Sequence, residues 1–267
     1  MRLILSRKGF DSSAGGAASP ILEDGRMVSL PIPESRGSVA YGELAPRGIP
    51  LAQLVADLTD GRLGPRSRAH LDPDLDRSAL PRHRGWLPSF GQSDYAARHL
   101  DLQSVGPGDL FLFFGWFQPV TRVAGRWRYR IDSPGIHAIF GWLRVSRVLD
   151  PVIDRPPPWL ARHPHYDRRI RRYSRVYLGK DAGVFPRFHT ALQLTAPGAN
   201  RSLWRLPFRL VPGHPISLSY HRNPARWRAR EDDCLLQTVG RGQEFVVSCS
   251  AGDPMYEWAQ GFVAHAA

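Results

Sequence analysis

The chain has 267 residues, which suits one large domain or two small ones, and we expect a single α+β domain over residues 1–267. Its 24 prolines and 25 glycines favour short elements joined by loops and exclude a fold built on long helices. Two cysteines are too few for a disulfide framework or a zinc ribbon, so we expect buried, reduced thiols.

The charge balance favours a polyanionic partner. The formal net charge is +12 at pH 7, and only two of the 36 basic residues are lysines. Such a balance is typical of proteins that bind nucleic acid, although arginine can also be abundant on a solvated surface. No apolar run reaches the length of a membrane span, and the first one ends too early for a signal peptide. We therefore expect a cytoplasmic protein with no membrane partner.

The first sixteen residues hold a strand and a loop. Residues 1–5 (MRLIL) form an apolar run that stops at a basic pair, the pattern of a buried strand. Residues 6–16 (SRKGFDSSAGG) follow, and clustered N–H groups with Arg and Lys suit a phosphate. A plain polar turn is the alternative, and neither the Walker pattern nor G-x-G-x-x-G is present. We expect Asp11 to act as a catalytic base or metal ligand, and phosphate or substrate to be bound by Ser6, Arg7, Lys8, Ser12 and Ser13.

The next elements are short. Residues 27–32 (MVSLPI) are typical of a strand, and residues 50–58 (PLAQLVADL) of a helix with proline at its start. Residues 59–90 form a long polar segment, and such segments inside a domain are often functional. Residues 92–102 (QSDYAARHLDL) predict a short helix with Ser93 as its cap.

His70, Asp72 and Asp74 alternate within the polar segment (HLDPDL). Alternate side chains of an extended chain point the same way, so an imidazole and two carboxylates could converge on one cation. These three residues are therefore a candidate metal site. The alternative is a loop whose aspartates bond their own backbone.

The centre of the chain is rich in aromatic residues. Residues 110–117 (LFLFFGWF), 126–131 (RWRYRI) and 136–148 (IHAIFGWLRVSRV) predict three strands, the last with a bulge at Gly141. Consecutive aromatic strands with tight turns predict a curled antiparallel sheet or a small PUA-like β-barrel with peripheral short helices. Most of these side chains must fill the core, but we expect Trp116 and Trp142 to stack on a nucleobase.

The last third of the chain contains a histidine pair. We expect a short helix from Pro157 that ends before Pro164. His163 and His165 flank Pro164 and could serve as general bases, metal ligands or phosphate contacts, or simply complement a helix C-terminus. We take both as candidate catalytic residues. A helix is also expected over residues 253–263, and strands over residues 176–178, 189–194, 202–206 and 244–249.

Gln243 and Glu244 lie in a glycine-flanked loop, residues 240–245 (GRGQEF), that leads into the last strand. A Gln amide can read an adenine edge and a Glu can act as a base, so both are candidate substrate-binding residues. A hairpin turn with exposed polar residues is the alternative. The sequence has no H-E-x-x-H and no G-x-S-x-G, which argues against ordinary zinc peptidases and serine hydrolases.

Several segments together resemble a bacterial and phage family, the nucleotide modification associated domain of the third type. In chain order they are SRKGFDSSAGG with SPI, HLDPDL, FGQ, VGPGDLFLFFGWF, HAIFGWLRV, HPH, RSLWRLP and GRGQEF. The resemblance implies a role in DNA base hypermodification, and it adds Gln92 of FGQ to the candidate substrate-binding residues. One departure is Arg172-Tyr173-Ser174, which stands where the family would have an asparagine pair. Residues 105–150 are also similar to the barrel of PUA-like domains of the EVE and ASCH groups, which bind modified bases or RNA.

Three hypotheses for the function remain open. The first is an enzyme that acts on nucleic acid bases or nucleotides in a DNA-modification pathway, with the base held in an aromatic and basic pocket. The second is a non-catalytic reader of modified bases in DNA or RNA. The third is a metal-dependent hydrolase or nuclease, with a divalent metal as its cofactor. The expected partners are nucleic acid or a nucleotide, and other base-modification enzymes.

Overall fold

The structure, a computed structural model, describes residues 1–166, 173–210, 216–240 and 242–264, and confirms an α+β fold. The described ranges contain three α-helices, α1 (Leu51–Leu58), α2 (Asp94–Leu102) and α3 (Pro254–Ala264). The strands are β1 (Arg2–Arg7), β2 (Ser19–Ile21), β3 (Val39–Ala40), β4 (Arg68–Ala69), β5 (Ser89–Ser93), β6 (Leu110–Val123), β7 (Arg126–Tyr129), β8 (Ile136–Arg144), β9 (Arg147–Leu149), β10 (Ser174–Leu178), β11 (Asp181–Val184), β12 (Leu203–Leu206), β13 (Trp227–Ala229), β14 (Cys234–Gln237) and β15 (Glu244–Ser248).

The central sheet has the strand order β11-β8-β6-β1-β15, and β2 and β7 pair with the far half of β6. The apolar strand β1 lies parallel to β6, with Arg7 opposite Phe114. On its other side β1 pairs antiparallel with β15, with Ser6 opposite Glu244. Consequently the loop that follows β1 and the loop that precedes β15 meet at one end of the sheet.

Smaller sheets pack around this one. β5, β10 and β9 form an antiparallel sheet in which Gly91 lies opposite Val176 and Ser93 opposite Ser174. β12, β14 and β13 form another, and β3 pairs with β4. The FGQ segment therefore lies on strand β5, and Ser93 precedes α2 without a capping side-chain hydrogen bond.

The aromatic strands supply most of the core. Phe111, Phe113 and Phe114 in β6 are at most 1% exposed, and Phe90 of β5 packs on the first two with ring centroids 5.0 and 5.2 Å apart. Burying such a side chain stabilises the fold by about 1.5–3 kcal/mol. In the middle of β8 the pairing register with β6 shifts: Phe113 lies opposite Gly141 and Phe114 opposite Ile139, which confirms the irregularity expected at Gly141.

The expectation of a barrel is corrected: within the described residues none of the sheets closes into a barrel, and the likeness to PUA-like domains is not confirmed. Two of the pairings on β6, those with β1 and β2, are parallel. Parallel pairing needs long connections between the strands, and a short meander of three central hairpin strands would not produce it.

Three predicted strands also differ. Residues 27–32 form only an isolated bridge from Met27 to Ile21, since prolines interrupt the segment. Residues 189–194 contain a 3₁₀ turn, Thr190–Leu192, rather than a strand. Residues 136–148 divide into β8 and β9, because the chain leaves the central sheet at Val145, whose N–H bonds to the Asp109 carbonyl at 2.9 Å.

The remaining expectations about the chain concern membranes, cysteines and the helix after Pro157. In the ranges that the structure describes, every helix is too short or too polar to cross a membrane. Cys234 and Cys249 are buried free thiols, as expected. The predicted helix after Pro157 is a single 3₁₀ turn, Pro158–Leu160.

Candidate functional site

A cavity of about 280 Å³ opens where the ends of β1, β5 and the loop before β15 meet the segment that carries His70. Its volume is close to the lower limit of small-molecule sites, roughly 300 Å³. Two other cavities measure about 70 Å³ each. The lining of the larger cavity includes the sequence-predicted residues Arg7, Lys8, Asp11, Ser13, His70, Asp72, Gln92, His165 and Gln243.

Asp72 is a buried carboxylate surrounded by three imidazole rings. Its side chain is 3% exposed, and its oxygens lie 3.8 Å from Nε2 of His70, 3.5 Å from Nε2 of His163 and 3.4 Å from Nε2 of His165. The backbone N–H of Gly91 donates to Oδ1 of Asp72 at 2.7 Å. The two histidine motifs thus form one group, which we call the histidine cluster: His70, Asp72, His163 and His165.

The second nitrogen of each imidazole has a neighbour that orients the ring. Nδ1 of His70 lies 2.8 Å from Oε2 of Glu34, and Nδ1 of His165 lies 2.8 Å from Oγ of Ser93. Nδ1 of His163 accepts a hydrogen bond from the backbone N–H of His165 at 3.3 Å. Such outer partners fix the orientation and tautomer of an imidazole, so the three Nε2 atoms face the shared carboxylate.

Gly91 makes this packing possible. A Cβ atom at position 91 would lie 2.3 Å from Cδ2 of His165 and 2.9 Å from Cε1 of His163. His165 belongs to the 3₁₀ turn Pro164–Tyr166, which packs against β5. The absence of a side chain at position 91 is therefore what lets both rings approach the strand.

The protonation states within the cluster differ. Burial lowers the pKa of His70, but the neighbouring carboxylates of Asp72 and Glu34 outweigh it and raise this pKa to about 9. Burial lowers the pKa of His165 to about 4 despite its contact with Asp72. Burial would raise the pKa of Asp72, yet the three imidazoles hold it well below its usual value. At neutral pH an anionic carboxylate therefore faces a protonated His70 and a neutral His165.

A second buried carboxylate, Glu244, lies behind the cavity wall and is 1% exposed. Its Oε1 accepts from Nζ of Lys8 at 2.8 Å and from Nε2 of Gln92 at 2.6 Å, and Oγ of Ser6 lies 3.4 Å away. Oε1 of Gln92 accepts in turn from the N–H of Ser93 at 3.0 Å. Lys8, Gln92 and Ser6, all expected to bind substrate, are thus engaged in building the cavity wall.

Arg7 is the cation that keeps a free charge in the lining. Its Nη2 lies 3.4 and 3.3 Å from the carbonyl oxygens of Gly240 and Gly242, and no carboxylate among the described residues lies within 4.0 Å of its guanidinium. Beside it, the amide oxygen of Gln243 accepts from Gln92, whereas its amide nitrogen makes no hydrogen bond in the described ranges. Arg241, in the same loop, lies outside the described residues, as do residues 167–172 of the basic stretch after His165.

Asp11 holds its own loop together. Its Oδ1 accepts from the N–H and Oγ of Ser13 and from the N–H of Ala14, each at 2.7 Å. Burial would raise the pKa of Asp11, but these donors and the nearby charge of Arg7 lower it. A carboxylate with a lowered pKa is a weak base, so Asp11 is better suited to shaping the loop than to accepting a proton.

Asp74 does not join the histidine cluster. Its carboxylate forms a bidentate pair with Arg82, with both N–O distances 2.6 Å, and accepts from Nε1 of Trp86 at 3.1 Å. Asp74 also exchanges two backbone hydrogen bonds with Ser89, and this pairing ends the alternation that aligns His70 with Asp72. Arg82 and Trp86 therefore occupy the oxygens that were expected to bind a metal.

The two tryptophans expected to stack on a base also lie away from the cavity. Trp142 is 3% exposed within the core, and the ring of Trp116 is covered by the guanidinium of Arg201 at 3.9 Å from its centroid. In the described part of the chain no Phe, Tyr or Trp lines the cavity, so aromatic stacking is not available there. Ser12 is exposed and lies outside the lining as well.

Three residues that shape the cluster were not among the expected site residues: Glu34, Gly91 and Ser93. Glu34 reaches His70 across 36 positions, and no local pattern marks it. The FGQ motif contains Gly91 and could have indicated it. Ser93 was expected only to cap the helix that follows it. At the position of the departure from the family pattern, Oγ of Ser174 lies 3.4 Å from Nδ1 of His165.

The comparisons with known proteins agree with the resemblance in the motifs. The family model described as Nucleotide modification associated domain 3 matches residues 2–248, and the chain belongs to this family. Membership implies a role in a nucleotide or DNA modification pathway. Neither the comparison with curated proteins nor the comparison with solved structures gave a match.

Proposed function

We propose that the protein is an enzyme of a DNA-modification pathway and that it holds a nucleotide, free or within nucleic acid, in the cavity described above. The observation that carries this proposal is the composition of the cavity lining. Arg7, which has no carboxylate partner in the described ranges, faces the same space as His70, Asp72 and His165. The side of the cavity near Arg7 thus suits a phosphate, and the side near His70, Asp72 and His165 suits catalysis on the rest of the nucleotide.

The phosphate would bind beside the loop after β1. Arg7 can supply charge-assisted hydrogen bonds to a phosphate oxygen, and the unused amide nitrogen of Gln243 can add a neutral one. Gly9 also lines the cavity, has φ of +80°, and its N–H makes no hydrogen bond within the described residues. Backbone N–H groups in such a glycine-containing loop are common anion ligands.

The histidine cluster favours an enzyme over a reader of modified bases. Readers of single bases commonly stack the base on an aromatic ring, and no Phe, Tyr or Trp lines the described cavity. A neutral, oriented imidazole beside a buried carboxylate is instead the arrangement used for proton transfer or for metal binding. His165, which lines the cavity, is the best placed of the candidate catalytic residues, and His163 supports it from behind.

Binding of the phosphate can be tested by calorimetry with the four deoxynucleoside 5′-monophosphates and the matching nucleosides. We expect at least one nucleotide to bind about tenfold more tightly than its nucleoside, a difference of about 1.4 kcal/mol. The variant Arg7→Gln should abolish this difference, while Arg66→Gln, at an exposed arginine, should retain it. Equal affinity of wild type for nucleotides and nucleosides, or an unchanged preference in Arg7→Gln, would refute the phosphate site.

Catalysis can be tested by mass spectrometry of nucleosides from the DNA of three strains. One carries the wild-type gene, one lacks it, and one carries His165→Ala. We expect a modified nucleoside, or a changed ratio of two nucleosides, in the wild-type strain alone. Identical nucleoside profiles in all three strains, together with intact binding, would favour the reader and contradict the enzyme.

A further inference from the structure

We propose that the histidine cluster is a binding site for one divalent transition-metal ion. The ligands would be Nε2 of His70, Nε2 of His165 and a carboxylate oxygen of Asp72, which all lie within 4.8 Å of one another. His163 would support Asp72 from outside the coordination sphere, because its Nδ1 accepts a hydrogen bond and its Nε2 therefore carries the proton of the neutral ring. The inference deepens the proposed function, because it assigns the chemistry of the part of the cavity where the reacting group would lie.

The distances within the cluster suit a shared ion better than direct hydrogen bonds. The Asp72 oxygens lie 3.4 to 3.8 Å from the three Nε2 atoms, whereas good N–H···O hydrogen bonds measure about 2.9 Å. Two ligands that are each about 2.1 Å from a metal, at a tetrahedral angle, lie about 3.4 Å apart. The distances from Asp72 to His70 and His165, 3.8 and 3.4 Å, are therefore close to those that an ion bound between them would require.

His163 is placed as an outer partner of the site. Its Nδ1 accepts from the backbone N–H of His165 at 3.3 Å, so Nε2 carries the proton of the neutral ring. This Nε2 is buried, makes no hydrogen bond in the described ranges and lies 3.5 Å from Oδ1 of Asp72. It is therefore in position to donate to the carboxylate that would hold the ion, as outer contacts of metal ligands do.

The outer contacts are those of metal-binding histidines. Metal-bound imidazoles usually donate their other N–H to a carboxylate, a hydroxyl or a backbone oxygen, which orients the ring. Glu34 takes this position on His70 and Ser93 takes it on His165, both at 2.8 Å. Asp72 is oriented in the same way, by the N–H of Gly91. The Nε2 atoms are thereby directed inward before any ligand arrives.

The charge of the cavity also favours a cation. Three carboxylates, those of Asp11, Glu34 and Asp72, line the cavity. Arg7 and Lys8 are the arginine and lysine of the described lining, and Lys8 is paired with Glu244 behind the wall. A divalent ion that replaced the proton of His70 would be held by these carboxylates and would add positive charge next to a bound phosphate. Imidazole ligands suit iron, cobalt, nickel and zinc, whereas magnesium and calcium prefer sites built from oxygen ligands.

The test uses the full-length protein, stripped with EDTA and titrated with Co²⁺, Zn²⁺ and Mg²⁺. We expect one equivalent of Co²⁺ or Zn²⁺ to bind and to raise the melting temperature, with no such effect of Mg²⁺ at the same concentration. His70→Ala and Asp72→Asn should each weaken binding at least about 100-fold, within the range that loss of a metal ligand or its support produces. His83→Ala, at an exposed histidine, should bind like wild type.

X-ray absorption of the Co²⁺-loaded wild type provides a measurement that does not depend on the folding of any variant. We expect scattering from two imidazole rings together with oxygen ligands. No binding of Co²⁺ or Zn²⁺, a coordination sphere of oxygen alone, or wild-type affinity in folded His70→Ala would overturn the proposal. Such a failure would leave the Arg7-dependent preference for nucleotides untouched, so the two proposals can fail separately.

Discussion

Histidines are packed against other side chains in two regions of the molecule, and the contrast between them separates a structural role from a functional one. In the aromatic core, Nδ1 of His137 accepts from Nε1 of Trp204 at 3.1 Å, and its ring meets Phe114 edge-on at 5.4 Å. Burial lowers the pKa of His137 to about 3, so the ring is neutral and paired. In the histidine cluster, three rings instead turn one nitrogen each toward a shared carboxylate.

This contrast shows that burial alone does not identify a functional histidine. What distinguishes the cluster is convergence: outer contacts fix each ring, and the inner nitrogens share one small space. The polar region around the cavity also depends on buried charges, whereas the aromatic core depends on apolar packing and neutral hydrogen bonds. Substitutions in the two regions should therefore differ in their cost and in their dependence on pH.

The largest effect is expected from Glu244→Gln. Lys8, whose side chain is 9% exposed, would keep its charge without a carboxylate, and breaking such a buried pair costs about 3–5 kcal/mol of unfolding free energy. Urea denaturation measures this loss. The double variant Lys8→Met/Glu244→Gln should recover most of it, because the uncompensated charge is then removed. A loss below about 1 kcal/mol in Glu244→Gln would mean that the pair behaves like one at the surface.

Gly91→Ala should have the next largest effect and should act on the cluster itself. The new Cβ would lie 2.3 Å from the His165 ring, so the ring or β5 must shift. Overpacking of this kind costs about 1–3 kcal/mol, and we expect Co²⁺ affinity to fall at least about tenfold. The matched control is Gly64→Ala, where a Cβ would meet no atom within 4 Å and stability should change by less than about 0.5 kcal/mol. Wild-type stability and Co²⁺ binding in Gly91→Ala would contradict the packing argument.

The sequence predicts the elements that have a strong local pattern. The apolar run of β1, the aromatic run of β6, the last strand β15, and helices α1 and α3 are all confirmed in type and approximate extent. The pairing of these strands is not local: β1 lies between β6 and β15, and no pattern of residues specifies that order. The barrel, one of the two expected forms of this sheet, was wrong for this reason, since nothing in the local pattern shows that β6 pairs with β1 and β2.

For the candidate site, the motifs were recognised but their grouping was only partly predictable. His70-x-Asp72 and His163-Pro164-His165 are visible in the sequence. The strand that positions both motifs is distant along the chain: Gly91 donates to Asp72, and Ser93, which contacts His165, is 72 positions away from it. Trp142 was assigned to a base pocket because the alternation of a strand does not reveal that both faces of a central sheet are covered. Both faces of the central sheet are covered: six of the nine residues of β8 and the first six residues of β6 are buried one after another.

The smallest effect is expected from His137→Asn, and it appears as a change in pH dependence. The folded-state pKa of His137 is about 3, below its ordinary value of 6.5, so the unfolded chain takes up the proton first as the pH falls. Stability is therefore lost from about pH 6.5 downward until about pH 3, and this one group should cost about 1.4 kcal/mol between pH 8 and pH 5.5. Asparagine keeps an acceptor for Trp204 but cannot be protonated.

Urea denaturation at pH 8 and pH 5.5 should thus show that His137→Asn loses about 1.4 kcal/mol less than wild type on acidification. His83→Asn, at an exposed histidine, serves as the matched control and should follow the wild-type curve. If His137→Asn also follows it, the ring of His137 exchanges protons as freely in the folded state as in the unfolded one. The aromatic core would then not lower the pKa of its imidazole. The functional role of the histidine cluster would then rest on metal binding alone.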